Sequence, residues 1–536
     1  MARPRRFSAA RALNLILDMA NADEEAIAPN NDDEVYNEQV ENGEQLLDNS
    51  TDGVELEEDS SDGDIDLFSE QDSDSDEDNE EEFESAGIKY SERPFEHRRR
   101  QRNVIDFHPR ASVNPQSELE AFQLFMSDDI LLQIQRYTNR KVIELRRVVP
   151  KTYGFMSTFS LDEVKACIGI ILYAGSDHDN FTEVTDLWDP IEGKPLYKAT
   201  MSINRFQFFL RAIRFDNFRS RSQRLDQCRL AAVSDIWQLF NESLRKFYVP
   251  AEVLTVDEQL LGYRGQIPGR TYLPSKPRKY GIKIFWICEA ESGYALNAEV
   301  YTGRGQNQPV HRGLAKDVVM KLCEPFHHSG REIVTDNFFT SHALAVALLE
   351  KNLTLLGTLR LCRVEIPNVL RDKSRPVEST KFLYDHDNKI VLASYIPKRN
   401  KNVVLLSSSH AGNTVFPNHA NKPEMILDYN IGKKGVDQFD QNIEKFTCRR
   451  KTVRWPVLFF YNIIDVAAFN AFLVLKKNGY GRPRKQFLNA LSRQLVFSCA
   501  RSRVLRNSNL RKPAKEAARL LGFLPENQNQ GESKKY

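Results

Sequence analysis

Thr255-Val-Asp-Glu-Gln-Leu-Leu-Gly-Tyr-Arg-Gly265 begins as a strand of β-branched and apolar residues and reaches a carboxylate, Asp257, at the predicted strand end. A loop broken by proline and glycine follows, closing with Lys276-Pro-Arg-Lys-Tyr-Gly-Ile-Lys283. Between Arg264 and Lys283 lie six Lys and Arg and no acid. A carboxylate that can hold a cation, beside a loop that can hold phosphates, points to chemistry on nucleic acid.

Outward from this stretch, the charge divides unevenly. The 536 residues sum to zero net charge, yet residues 21–88 hold 28 Asp and Glu and no Lys or Arg. With 74 acids and 74 bases in all, the rest carries 74 − (74 − 28) = +28. An acidic arm on a basic body fits a nucleic-acid partner. Seven dispersed cysteines form no C-x-x-C pair, which reads as a reducing compartment without a disulfide framework. The apolar run Val457–Leu475 contains Asn462, Asp465 and Asn470, each costly in lipid, so it reads as a buried helix and no membrane partner is expected. Walker A and G-x-S-x-G sequences are absent.

In chain order, residues 1–105 read as a disordered arm, acidic over 21–88, because sparse apolar residues cannot offset chain entropy. A basic amphipathic segment starts it, with Ser8 as a candidate cap. Ser61, Ser69, Ser73 and Ser75 each precede an Asp by three residues, a pattern suited to an acid-directed kinase. His97-Arg-Arg-Arg-Gln-Arg102 reads as a nuclear-import signal or a phosphate contact. Residues 106–252 read as helical, with a capping box at Ser160-Leu-Asp-Glu163 and a cap at Ser234. From 253 to 361 the pattern becomes three strands, helix, strand, helix, strand, an α/β sheet layer. Residues 362–423 read as a β-rich insertion, 424–456 as a return to the sheet layer, 457–525 as more helices and 526–536 as a tail.

Asp257 at the end of the first strand, Asp336 at the end of the fourth and Asp437 at a helix start converge if the strands form one open sheet. Asp440, three residues after Asp437, shares its helix face. Such a set repels itself unless a cation sits within it, and its hard oxygens favour Mg²⁺ or Mn²⁺. Two ions about 4 Å apart can stabilise the attacking and leaving oxygens of a phosphodiester. Arg264, Arg270, Lys276, Arg278, Lys279 and Lys283 on one side, with Arg449, Arg450, Lys451 and Arg454 on the other, are expected along a DNA backbone.

Several blocks together carry a family resemblance: Thr255–Gly265, Lys279-Tyr-Gly-Ile-Lys283, Thr335-Asp-Asn-Phe-Phe-Thr340, Arg371-Asp-Lys-Ser-Arg-Pro376, Gly435-Val-Asp-Gln-Phe-Asp-Gln441 and Arg450-Lys-Thr-Val-Arg-Trp-Pro456. With Thr200-Met-Ser-Ile-Asn-Arg-Phe206, they resemble, in order, the signature blocks of piggyBac-type transposases over residues 115–475. The resemblance implies a ribonuclease H-like core whose Asp triad falls on Asp257, Asp336 and Asp437, with Asp440 the additional Asp. It implies a dimer in which the flanking helices join as one dimerisation and DNA-binding domain. Metal-dependent cleavage and joining of double-stranded DNA at transposon ends, integration at TTAA and a nuclear location follow from it as expectations. A rival reading is a host-adopted DNA-binding or chromatin protein without transposition. The family often ends in a Cys- and His-rich zinc module; residues 476–536 hold Cys499 and no His, so no zinc is expected there.

Overall fold

The computed structural model of the chain describes residues 36–37, 82–95, 108–149, 151–225, 227–267, 269–274, 278–303, 313–507 and 510–524. The helical start, the four arm serines, the basic cluster at 97–102 and Lys276 lie outside these residues.

Serines begin several helices as their short side chains predict: Ser117, Ser127, Ser160, Ser202 and Ser341 each accept a backbone N–H from the first turn. Ser160 and Glu163 make the full reciprocal box. Ser234 differs: it is the first helical residue, Val233 occupies the cap position, and the Ser234 hydroxyl donates to Asp235.

The strands are β1 (Glu82–Ser85), β2 (Ile88–Ser91), β3 (Val253–Gly262), β4 (Tyr280–Glu289), β5 (Ala295–Val300), β6 (Glu332–Thr335), β7 (Thr354–Leu359), β8 (Thr380–Asp385), β9 (Ile390–Tyr395) and β10 (Val403–Ser407). They lie in one sheet in the order β5-β4-β3-β6-β7-β10-β9-β8-β2-β1. β3, β6 and β7 run parallel; β4 and β5 extend β3 antiparallel. Short pairings of Thr271–Tyr272 with β4 and of Tyr36–Asn37 with Thr271–Tyr272 add to the β4 edge.

The β-rich piece at 362–423 joins the main sheet: β10 pairs with β7, and β9 and β8 continue outward. One expectation changes: the arm read as disordered over 1–105 contains ordered strands. Residues 82–91 form a hairpin whose second strand pairs with β8 at Ser91↔Tyr384. Buried Tyr90 donates to the Glu365 carbonyl, and Ser85 to that of Val364. An apolar aromatic with a satisfied hydroxyl anchors what composition alone reads as solvated chain.

The helix Trp455–Lys477 holds the layers together. Among the described residues it is the one helix long and apolar enough to cross a membrane, but 94% of its most apolar stretch is buried inside the protein. Pro456 sits in its first turn, where its missing N–H costs nothing. The polar residues that break its apolar run are used internally. Asn470 donates to the Ala295 carbonyl and accepts from the Ala295 N–H, so it binds the start of β5. Around it, helices from before and after the sheet meet. Gln494 accepts from Leu119 N–H and donates to Glu118, and Tyr480 donates to the same carboxylate. Gly169 brings the helix Leu161–Ser176 against Leu495 and Val496 of the helix Arg484–Arg506; an added Cβ would lie 2.9 Å from both side chains.

Candidate active site

The site lies where one strand pairing stops. Val256↔Thr335 is the last pair between β3 and β6. Asp257 and Asp336 are the next residue of each strand, so parallel alignment sets them side by side. β3 itself continues to Gly262, held by β4 alone from this point. Asp257 is therefore inside its strand rather than at its end, but at the end of the pairing that matters. Asp336 leaves β6 into a turn whose geometry is fixed twice: its carboxylate accepts the Phe338 N–H at 3.0 Å, and Thr340 donates to its carbonyl at 2.6 Å.

Asp437 comes from above the sheet. It sits in the first turn of the helix Lys434–Lys445. Two glycines allow that helix and the preceding one, Glu424–Gly432, to approach. A Cβ on Gly435 would lie 2.5 Å from the Thr255 hydroxyl, and one on Gly432 would lie 2.6 Å from a Val334 methyl. Thr255 also donates to the Gly432 carbonyl at 2.5 Å. Asp257, Asp336 and Asp437 thus line one cavity of about 160 Å³, together with Thr255, Val256, Val334, Thr335, Tyr429 and Lys433.

Within the cavity region the tightest group is not the expected triad. Asp257, Glu258 and Asp336 each offer a carboxylate oxygen, all within 4.8 Å of one another. Asp437 lines the cavity without joining that group. Glu258 was missed from the sequence because strand alternation sends it to the opposite face from Asp257. The open edge beyond Val256 lets both carboxylates reach the same point. Burial, then the charge of Glu258, raises the Asp336 carboxyl to about 7, while the Phe338 N–H, Lys283 and Arg360 act the other way. A carboxylate cluster under this strain suits a hard divalent cation, which would favour the ionised form.

Asp440 is one turn further along the helix and faces elsewhere. It accepts from the Gln259 amide at 2.7 Å and lines a neighbouring cavity of about 310 Å³ with Arg278, Glu444, Arg449, Asn462 and Asp465. Gln259 also accepts from the Trp286 indole and from Asn462. The three-residue spacing from Asp437 is real, but the strand positions opposite differ: Asp257 for one, Gln259 for the other.

The basic residues separate by burial. Arg264, Arg278, Lys279 and Lys451 are exposed, and Arg270 is half-exposed, with its guanidinium on the Arg264 and Gly265 carbonyls. Arg278 pairs with Glu444 at 2.7 Å. Three others are internal and are corrections to the expected DNA contacts. Arg454 is buried, donating to the carbonyls of Leu210, Arg211 and Ile213 where the helix Ile203–Ala212 ends. Arg450, also buried, donates to the carbonyls of Asp179 and Thr182. Lys283 is 2% exposed, its ammonium 4.6 Å from the Phe338 ring centre and 5.1 Å from that of Phe285. Arg449 is half-buried and donates to the Gly262 carbonyl. A run of cations in sequence thus holds both surface charges and internal ties. Carbonyls left open at helix ends and loops claim the latter.

A sheet with an aspartate on each of two adjacent parallel strands where their pairing ends, and a third on a covering helix, is the layout of a DDE-type transposase. Residues 117–472 match the family model described as Transposase IS4, and the chain belongs to that family, on its piggyBac-type side. A solved structure described as the piggyBac transposase synaptic complex with hairpin DNA is 35% identical, with a TM-score of 0.73, over 80% of this chain and 89% of that one. PiggyBac transposable element-derived protein 3 of Homo sapiens is 24% identical over 376 residues, 64% of this chain and 59% of the relative. PiggyBac transposable element-derived protein 2 of Homo sapiens is 22% identical over 377 residues, 66% of this chain and 61% of the relative. The chain spans about three-fifths of the length of these two relatives.

Proposed function

We propose that this protein is a DNA transposase that cleaves and rejoins phosphodiesters at transposon ends and integrates at TTAA, using divalent metal. The observation that carries this is the meeting of Asp257, Asp336 and Asp437 on one cavity from three separate elements. The order β5-β4-β3-β6-β7, antiparallel for the first three strands and parallel for the rest, supports a ribonuclease H-like core. The similar structure is by its description a complex with DNA, which supports a double-stranded DNA partner. Homodimers and a nuclear location are part of the same reading.

Asp257, Glu258 and Asp336 are the residues fitted to hold Mg²⁺ or Mn²⁺, with Asp437 reaching in from the helix. A bound divalent ion there supplies Lewis acidity to the phosphodiester and lowers the pKa of water. The chain's own part is positional. The Phe338 N–H and the Thr340 hydroxyl hold the Asp336 turn, and Gly432 and Gly435 set the helix height. Arg264, Lys279 and Lys451 offer exposed charge to the backbone of DNA.

The test is cleavage of duplex DNA bearing the terminal repeats that flank the coding region. Wild type with Mg²⁺ or Mn²⁺ is expected to nick, and Asp257→Asn to lose about 10³-fold or more while binding the DNA as tightly. Equal cleavage by both would overturn the assignment. The human relatives, described as transposable element-derived proteins, favour the alternative, a host-adopted DNA-binding protein. Tight binding without nicking in either metal would select it.

A further inference from the structure

We propose that Lys283 is the resident counter-ion of the carboxylate cluster, a positioning residue that keeps Asp257, Glu258 and Asp336 together before any metal arrives. This rests on the metal-site reading above. Register places it there: β3 and β4 pair Leu260 with Lys283 and Glu258 with Phe285. Glu258 and Lys283 are thus diagonal neighbours on one face of the sheet, within reach of long side chains. The ammonium is buried rather than presented to solvent. It lies against the rings of Phe285 and Phe338, a favourable setting for a desolvated cation. Phe338 is also the residue whose N–H holds the Asp336 carboxylate, so one ring links the cation to the loop that carries the site. The Lys283 carbonyl accepts from Tyr301 N–H, which fixes the strand edge beneath it.

A buried lysine survives only beside negative charge, and a tight carboxylate group persists only beside positive charge. Each meets the other's requirement in the metal-free protein. A divalent ion adds two charges to the same volume, so Lys283 then opposes it. The lysine thereby steadies the empty site and weakens the loaded one, leaving exchange of the ion easy.

The experiment is Mn²⁺ binding by the full chain at fixed pH, read from the loss of the free-ion electron paramagnetic resonance signal, with thermal unfolding in parallel. Lys283→Met is expected to unfold at lower temperature without metal, to bind Mn²⁺ about tenfold more tightly, and to gain more thermal stability from it than wild type. Lys283→Arg keeps the charge and is expected to bind as wild type does. Lys283→Gln, with a polar head better tolerated in the site, provides the same comparison if the methionine variant does not fold. Unchanged or weaker Mn²⁺ binding by the neutral variants, with binding lost in Asp257→Asn, overturns the proposal and leaves the metal site standing. Equal binding by wild type and Asp257→Asn removes the metal-site reading and this proposal together.

Discussion

Asp465 is a carboxyl group buried in the helix Trp455–Lys477, and burial raises it to about 6 despite donation from the Thr447 hydroxyl and the Cys448 N–H. The folded form therefore holds a proton that the unfolded chain, at 3.8, gives up. Its contribution is fully present below pH 4 and is lost as pH rises toward about 6. The difference of about two units amounts to roughly 3 kcal/mol. Asp465→Asn is expected to flatten the melting temperature between pH 4 and 6.5 compared with wild type; a parallel profile would show that the group is ionised when folded. The same scale explains what the sequence could not disclose. Arg450, Arg454 and Lys283 have the composition of DNA contacts, and only the carbonyls and rings that fold around them decide otherwise. Asp257 and Asp336 were legible because each follows a short β-branched run. Glu258 was not, because the end of the β6 pairing, which frees its edge, is a long-range fact.

At the scale of elements, the helix Lys434–Lys445 is set by glycine. Gly435→Ala puts a Cβ 2.5 Å from the Thr255 hydroxyl and 3.0 Å from Ala290 Cα. The helix must shift away, taking Asp437 with it. Misplacement of this kind in a site that works by alignment costs on the order of 10²-fold in rate. Gly435→Ala is expected to lose about that much cleavage while keeping the wild-type circular dichroism spectrum and Mn²⁺ binding by Asp257 and Asp336. Full activity would mean that Asp437 need not be placed closely. Most strands and helices were readable from periodicity and serine caps, and the box read at Ser160–Glu163 forms in full. The role of β8 to β10 was not readable, because which edge a strand joins depends on partners distant in the chain. β10 meets β7 across some 50 residues, and nothing local marks that choice.

Across the whole molecule, the acidic segment and the basic body oppose each other. Removing residues 1–81 is expected to raise affinity for duplex DNA at low salt, with the gain fading as ionic strength rises. An unchanged affinity throughout the salt series would assign that segment no electrostatic role. The cut must stop there. Removal through residue 91 takes away β2 and Tyr90 and exposes the β8 edge, so that variant is expected to melt earlier and aggregate.

The helix Trp455–Lys477 also sets a timetable. Translation reaches β3 long before the helix that delivers Asp437 and the one that covers the sheet. At about 5–20 residues per second, the chain between Val253 and Lys477 takes on the order of ten to forty-five seconds to emerge. Throughout that interval β3 and β4 have apolar residues waiting for a cover, which gives chaperones reason to attend. Before residue 437 emerges, a ribosome-bound chain has Asp257 and Asp336 without the third carboxylate. The three aspartates can meet only once residue 437 has emerged.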